Sequence, residues 1–86
     1  MIGTLIIDDH DVVREGIRAI LLENGNFEIK DTAGSAEEAM QLIHANSYEL
    51  IILDLSLPGM SGLEFIKDIK SQQPKARVLV VSMYSE

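Results

Sequence analysis

The chain has 86 residues, 14 acidic against 7 basic side chains, a net charge of −7 and no cysteine. That length allows one small domain, and 47% hydrophobic residues are enough to build a core rather than a disordered tail. The missing cysteines exclude a disulfide framework, a thiolate zinc site and a thiol nucleophile. Apolar runs stop at four or five residues, too short for a membrane span. The acidic balance argues against a nucleic-acid surface, which needs clustered Lys and Arg, but it permits a cation site.

Periodicity divides the chain into alternating short and long elements. Leu5-Ile6-Ile7 is a continuous apolar run that ends in Asp8-Asp9, the pattern of a buried strand. From Asp11 the period becomes helical. Val12, Val13, Gly16, Ile17, Ile20 and Leu21 share a face, while Arg14, Glu15, Arg18 and Glu23 point away. Asn24-Gly25-Asn26 stops this helix.

Phe27-Glu28-Ile29-Lys30-Asp31 alternates apolar and charged residues, which predicts a strand with one wet face at a sheet edge. Ser35 and Glu38 then form an S-x-x-E capping box. The helix they open carries Ala36, Ala39, Met40 and Ile43 inward and ends near Asn46-Ser47.

Leu50-Ile51-Ile52-Leu53 is a third, wholly apolar strand ending at Asp54. The loop after it holds Pro58-Gly59, a turn signal. A third helix is expected to face Leu63, Ile66 and Ile69 inward, with Phe65 flanking, until Pro74 closes it. Val78-Leu79-Val80-Val81 is the fourth strand, ending at Ser82. The order βαβαβαβ predicts an α/β fold, with right-handed crossovers, a parallel sheet and helices on both faces.

Parallel strands bring Asp8, Asp9, Asp54 and Ser82 to one rim, where open α/β sheets bind ligands. Three neighbouring carboxylates repel one another, and without a cation at least one should hold its proton. Mg2+ removes that conflict, since it takes hard oxygen donors and only one or two protein carboxylates. One carboxylate can then act as a nucleophile toward phosphorus. The plainer readings are an acidic helix start at Asp8-Asp9-His10-Asp11 and an incidental serine at Ser82. The first leaves Asp54 unexplained. His10 reads as a loop residue, since one histidine among carboxylates is no zinc signature. His44 reads as solvated.

The segments LIIDDHDVVREGI, LIILDLSLPGMSGLEFI and RVLVVSM resemble the receiver domain of two-component response regulators. The wording DDHDVVREG and SLPGMSGLE is most similar to the NarL/FixJ (LuxR-type) transcription regulators. The resemblance implies a flavodoxin-like fold, here with strand order 2-1-3-4. It implies that Asp54 accepts a phosphoryl group from a sensor histidine kinase, with Mg2+ on Asp9, Asp54 and the Ser56 backbone carbonyl, and Asp8 acting mainly through a bound water. Ser82 would be the switch hydroxyl, and Ser56 and Tyr84 would border the pocket. A cytoplasmic location is implied as well.

The same resemblance makes the chain an incomplete receiver domain over residues 1–86. The family's fourth helix, fifth strand and fifth helix are expected to be lacking, and with them the invariant lysine, for which Lys30, Lys67, Lys70 and Lys75 offer no counterpart. The fourth strand, apolar and without a guarding charge, is expected to leave an open edge. Self-association or exchange of segments between copies follows as an expectation. DNA binding and transcription regulation belong to the parent protein only, and this part is expected to bind no nucleic acid. Competing functions are an aspartate-nucleophile phosphatase, suggested by Asp9-His10-Asp11, a mononucleotide site on the same fold, and a structural module pairing through the fourth strand. The phosphatase is disfavoured because Ser82-Met83-Tyr84-Ser85 follows the fourth strand where a second acidic pair is needed.

Overall fold

A computed structural model describes residues 1–54 and 61–81. Strand β1 spans Ile2–Ile7, helix α1 Asp11–Asn24, β2 Phe27–Ala33, α2 Ala36–Ala45, β3 Leu50–Asp54, α3 Gly62–Gln72 and β4 Arg77–Val81. All neighbouring strands are parallel, in the order β2-β1-β3-β4. β1 therefore lies between β2 and β3, with Ile7 opposite Ala33 on one side and Leu53 on the other. Among the described residues no helix is long and apolar enough to cross a membrane.

The apolar runs lie in the middle of the sheet. Leu5, Ile6 and Ile7 in β1 and Ile51, Ile52 and Leu53 in β3 are all buried. Alternation along the strands splits them between two faces. Leu5, Ile7, Ile51 and Leu53 join Ala39 and Ile43 of α2 and Phe65 and Ile69 of α3 in one core. Ile6 and Ile52 fall outside that cluster, on the side covered by α1, which packs against β1 and β2. β2 shows the expected half-wet pattern, Glu28 and Lys30 exposed and Phe27 and Ile29 half-buried.

Two helical faces differ from their periodicity. No residue of α1 is buried. Val13, Ile17 and Leu21, spaced four apart, are half-buried, whereas Val12 is 85% and Ile20 70% exposed. α1 is the only described helix on its side of the sheet, so the stripe over β1 and β2 is covered and its flank is not. In α3 the centre of the buried face is Phe65 with Ile69, and Leu63 is 64% exposed. Phe65 and Ile69 are one turn apart and point at the sheet. Leu63 stands well around the helix from that pair.

Local signals set the ends. Gly25 caps α1 at φ +88°, a left-handed conformation that a side chain disfavours. The Ser35 hydroxyl accepts from the Glu38 N–H at 3.1 Å. Glu38 Oε1 in turn accepts from the Gly34 N–H at 2.8 Å, so the box closes one residue before the cap. Ser61 caps α3 on the Glu64 N–H. β4 has only β3 as a neighbour among the described residues, and Leu79 and Val80 are 51% and 38% exposed.

Candidate functional site

The site lies at the carboxyl ends of β1 and β3. Ile7 pairs with Leu53, so the next residue of each strand, Asp8 and Asp54, emerges at the same level on adjacent strands. Each is only 1% exposed. A pair of carboxylates at that depth is costly unless a cation or several donors meet them. Asp9 follows at 28% exposure.

His10 stands over these acids. Its Nδ1 is 3.0 Å from Asp8 Oδ1, 2.9 Å from Asp9 Oδ1 and 3.7 Å from Asp54 Oδ2. Its backbone N–H also donates to Asp8 Oδ1 at 2.8 Å, which holds the chain in a turn as it enters α1. The hydrogen bond to Asp8 and the nearby Asp9 charge raise the His10 pKa above the ordinary 6.5. His10 is therefore not the bystander that its place in a loop implies. Its ring nitrogen stands where three carboxylates meet.

Arg14 also departs from expectation. Its helical phase points it toward solvent, yet its side chain is 20% exposed and Nη1 donates to the Asp8 backbone carbonyl at 2.5 Å. Nη2 binds Asp11. The Cβ that Gly34 lacks would lie 2.9 Å from Arg14 Nη1, so the absence of a side chain there makes room for the guanidinium. On the β2 side, the Asp8 N–H donates to the Ala33 carbonyl at 3.0 Å. The Asp8 main chain is thus held from two sides. Its carboxylate is satisfied at only one oxygen, because Oδ2 is buried without a hydrogen-bond partner among the described residues.

Asp8, Asp9, His10 and Asp54 each offer a ligand atom, all within 4.8 Å of one another. The three carboxylates are hard donors of the kind Mg2+ takes, and the orphaned Asp8 Oδ2 gives a cation a reason to bind. The residues present fit such an ion.

Of the residues picked from the sequence, Asp8, Asp9 and Asp54 come together. Ser56, with its carbonyl, and Ser82 and Tyr84 lie outside the described residues, as do Pro58 and Gly59. The site contributions of His10 and Arg14 were not legible from periodicity. For Arg14 the available signal was Gly34 ahead of a capped helix, a glycine that no turn requires. Lys30 and Lys70 are engaged elsewhere, Lys30 Nζ with the Ser47 carbonyl and Lys70 Nζ with those of Pro74 and Ala76.

Comparison with known proteins gives a uniform picture. Residues 4–86 match the model of the response regulator receiver domain. The transcriptional activator protein ExaE of Pseudomonas putida is 39% identical over 84 residues, 98% of this chain and 39% of that protein. The response regulator TrrA of Thermotoga maritima, solved in complex with Mg2+-BeF, superimposes with a TM-score of 0.86 at 36% identity, covering 99% of this chain and 72% of that one. A response regulator from Burkholderia pseudomallei, solved with a phosphorylated aspartic acid, a calcium ion and citrate, gives a TM-score of 0.79 at 35% identity, over 100% of this chain and 49% of that one. The chain spans about two fifths of the length of the curated relatives it matches.

Proposed function

The chain belongs to the response regulator receiver domain family, and from that membership we propose that Asp54 is its phosphoacceptor, charged by a sensor histidine kinase. The observation that carries this reading is the meeting of Asp8, Asp9 and Asp54 at the ends of two adjacent parallel strands. An Asp54 carboxylate oxygen forms the bond to phosphorus. The bond from phosphorus to the donor imidazole breaks, and its electron pair stays on that nitrogen.

Asp9 and Asp54, together with the Ser56 carbonyl, would hold Mg2+, and Asp8 would act mainly through a bound water. When bound, the ion offsets negative charge as the phosphoryl group arrives. Burial of Asp54 keeps bulk water from its carboxylate, and the hydrogen bonds from Arg14 and to Ala33 keep the Asp8 main chain in place beside it. By the same resemblance, the Ser82 hydroxyl would be the switch group, and Ser56 and Tyr84 would border the pocket.

The parent protein regulates transcription from a cytoplasmic location, and DNA contacts belong to its other parts. Among the described residues β4 has β3 alone as a neighbour and leaves Leu79 and Val80 partly exposed, which favours pairing with a second copy or a segment of one. The chain is an acceptor rather than a turnover enzyme. An aspartate-nucleophile phosphatase would hydrolyse p-nitrophenyl phosphate steadily, whereas this chain should show almost none.

Incubation with acetyl phosphate and Mg2+, followed by mass mapping, tests the assignment. Label on Asp54 that needs the metal and vanishes in Asp54→Asn supports it. Label on another residue, or label indifferent to Mg2+, overturns it.

A further inference from the structure

The receiver reading uses three carboxylates and leaves His10 without a task. The His10 side chain is 55% exposed and could sit in water, yet Nδ1 lies 3.0 and 2.9 Å from Asp8 and Asp9 oxygens and 3.7 Å from an Asp54 oxygen. Donor atoms bound to one small cation at about 2.0–2.1 Å stand about 3 Å apart along the edges of the coordination polyhedron. The imidazole nitrogen is already at that spacing from two carboxylates. Independently, Asp8, a residue only 1% exposed, has its Oδ2 buried with no hydrogen-bond partner among the described residues. A buried carboxylate oxygen in that condition is short of a cation, not of space.

The geometry points to His10 as a fourth protein ligand, through Nδ1, that gives this site a preference for first-row transition ions such as Co2+, Ni2+ and Zn2+ over Mg2+. The inference rests on the reading of Asp8, Asp9 and Asp54 as a metal site. Carboxylate and water suit Mg2+ and Mn2+, whereas imidazole suits zinc, nickel and iron. Adding one nitrogen donor to three hard oxygens therefore moves selectivity along the series, while leaving an all-oxygen set for Mg2+ when the ring swings out. The local chain is built to deliver the ring. His10 is the residue before α1, its N–H is held by Asp8 Oδ1, and its side chain makes no capping bond to the helix. Because the ring carries no capping duty and is half in solvent, its removal does not threaten the fold.

The test is calorimetric titration of the full chain with Co2+ alone and Mg2+ alone, with the Co2+ visible absorption as a second readout. The variants are His10→Ala, His10→Asn, Asp9→Ala and, as a control for the other histidine, His44→Ala. Co2+ affinity is expected to fall by about 10–100-fold in both His10 variants, with a change in the Co2+ band. Mg2+ affinity is expected to stay near wild type, and His44→Ala to change neither. If His10→Ala shifts both ions by the same factor, in either direction, the ring is at most a plug and the inference is overturned. The same follows if the Co2+ spectrum is unchanged. Mg2+ binding that depends on Asp9 alongside an unaltered Co2+/Mg2+ ratio sinks this inference alone. Mg2+ binding indifferent to Asp9→Ala sinks the underlying metal-site reading as well.

Discussion

The two ends of the β3 strand treat polar groups in opposite ways. Before its first residue, Tyr48 is 5% exposed and fully engaged. Its hydroxyl donates to Asp31 Oδ2 at 2.6 Å, its N–H donates to Gln73 Oε1 at 2.9 Å, and Lys30 Nζ sits 5.5 Å from the ring centroid. Gln73 Nε2 also donates to the Ile43 carbonyl at 2.9 Å and to that of Asn46 at 2.7 Å, tying α2, α3 and β3 together. At its carboxyl end, Asp54, the last strand residue, and Asp8 beside it after β1 are buried just as deeply, yet they share their surroundings with another acid, and Asp8 Oδ2 has no partner among the described residues. One end is satisfied by the chain itself. The other keeps one buried carboxylate oxygen, Asp8 Oδ2, without a partner among the described residues, and the contrast separates a structural clamp from a binding site.

Substitutions at the two ends should therefore move stability in opposite directions. Gln73→Ala removes three hydrogen bonds at once and should cost about 2–3 kcal/mol in a urea melt, with Mg2+ affinity unchanged. A loss of Mg2+ binding in that variant would break the separation between the ends. Asp8→Asn should instead raise the stability of the metal-free protein by about 1–2 kcal/mol, since a buried acid among acids becomes neutral. The same change should weaken Mg2+ by about tenfold or more. A destabilised Asp8→Asn would mean that the carboxylate is already well partnered.

Tyr48→Phe should cost about 1 kcal/mol at neutral pH. Burial, helped by the hydrogen bond to Asp31, raises the Tyr48 pKa well above its ordinary 10. The folded state thus favours the neutral phenol, and its contribution persists below pH 10 and is lost as pH rises further. The alkaline unfolding limb should accordingly be shallower in Tyr48→Phe.

The smallest effect belongs to His10. Its ring proton is held by Asp8 and Asp9, so its NMR titration midpoint should lie above 6.5 and drop in Asp9→Asn. Its pairing stabilises the metal-free fold below pH 6.5 and fades as pH climbs through the folded-state value. An unchanged midpoint in Asp9→Asn would remove Asp9 from the ring's surroundings.

Much of this was legible in the residues. Wholly apolar runs at Leu5-Ile6-Ile7 and Leu50-Ile51-Ile52-Leu53 predicted central strands, the alternation at Phe27–Asp31 predicted an edge, and both fell as expected in the order β2-β1-β3-β4. The acids at the ends of β1 and β3 could be read as one site because parallel strands share a rim. What escaped depended on neighbours that periodicity does not encode. Val12 and Ile20 look like core on a helical wheel, but α1 covers the sheet with a single stripe. Arg14 looks solvated, but the gap at Gly34 lets it fold back onto the Asp8 carbonyl. His10 reads as a loop residue because a lone histidine carries no spacing rule, and only the Asp8 turn shows where its ring goes. Tyr48 gave no signal at all, since its partners Asp31 and Gln73 lie 17 and 25 residues away.

The most direct measurement is the thermal midpoint with and without Mg2+ for wild type and Asp9→Ala. A cation that binds only the folded pocket must raise the wild-type midpoint in proportion to the logarithm of its concentration. That rise should disappear in Asp9→Ala. An equal rise in both proteins, or none in either, would mean that Asp8, Asp9 and Asp54 do not form the cation site.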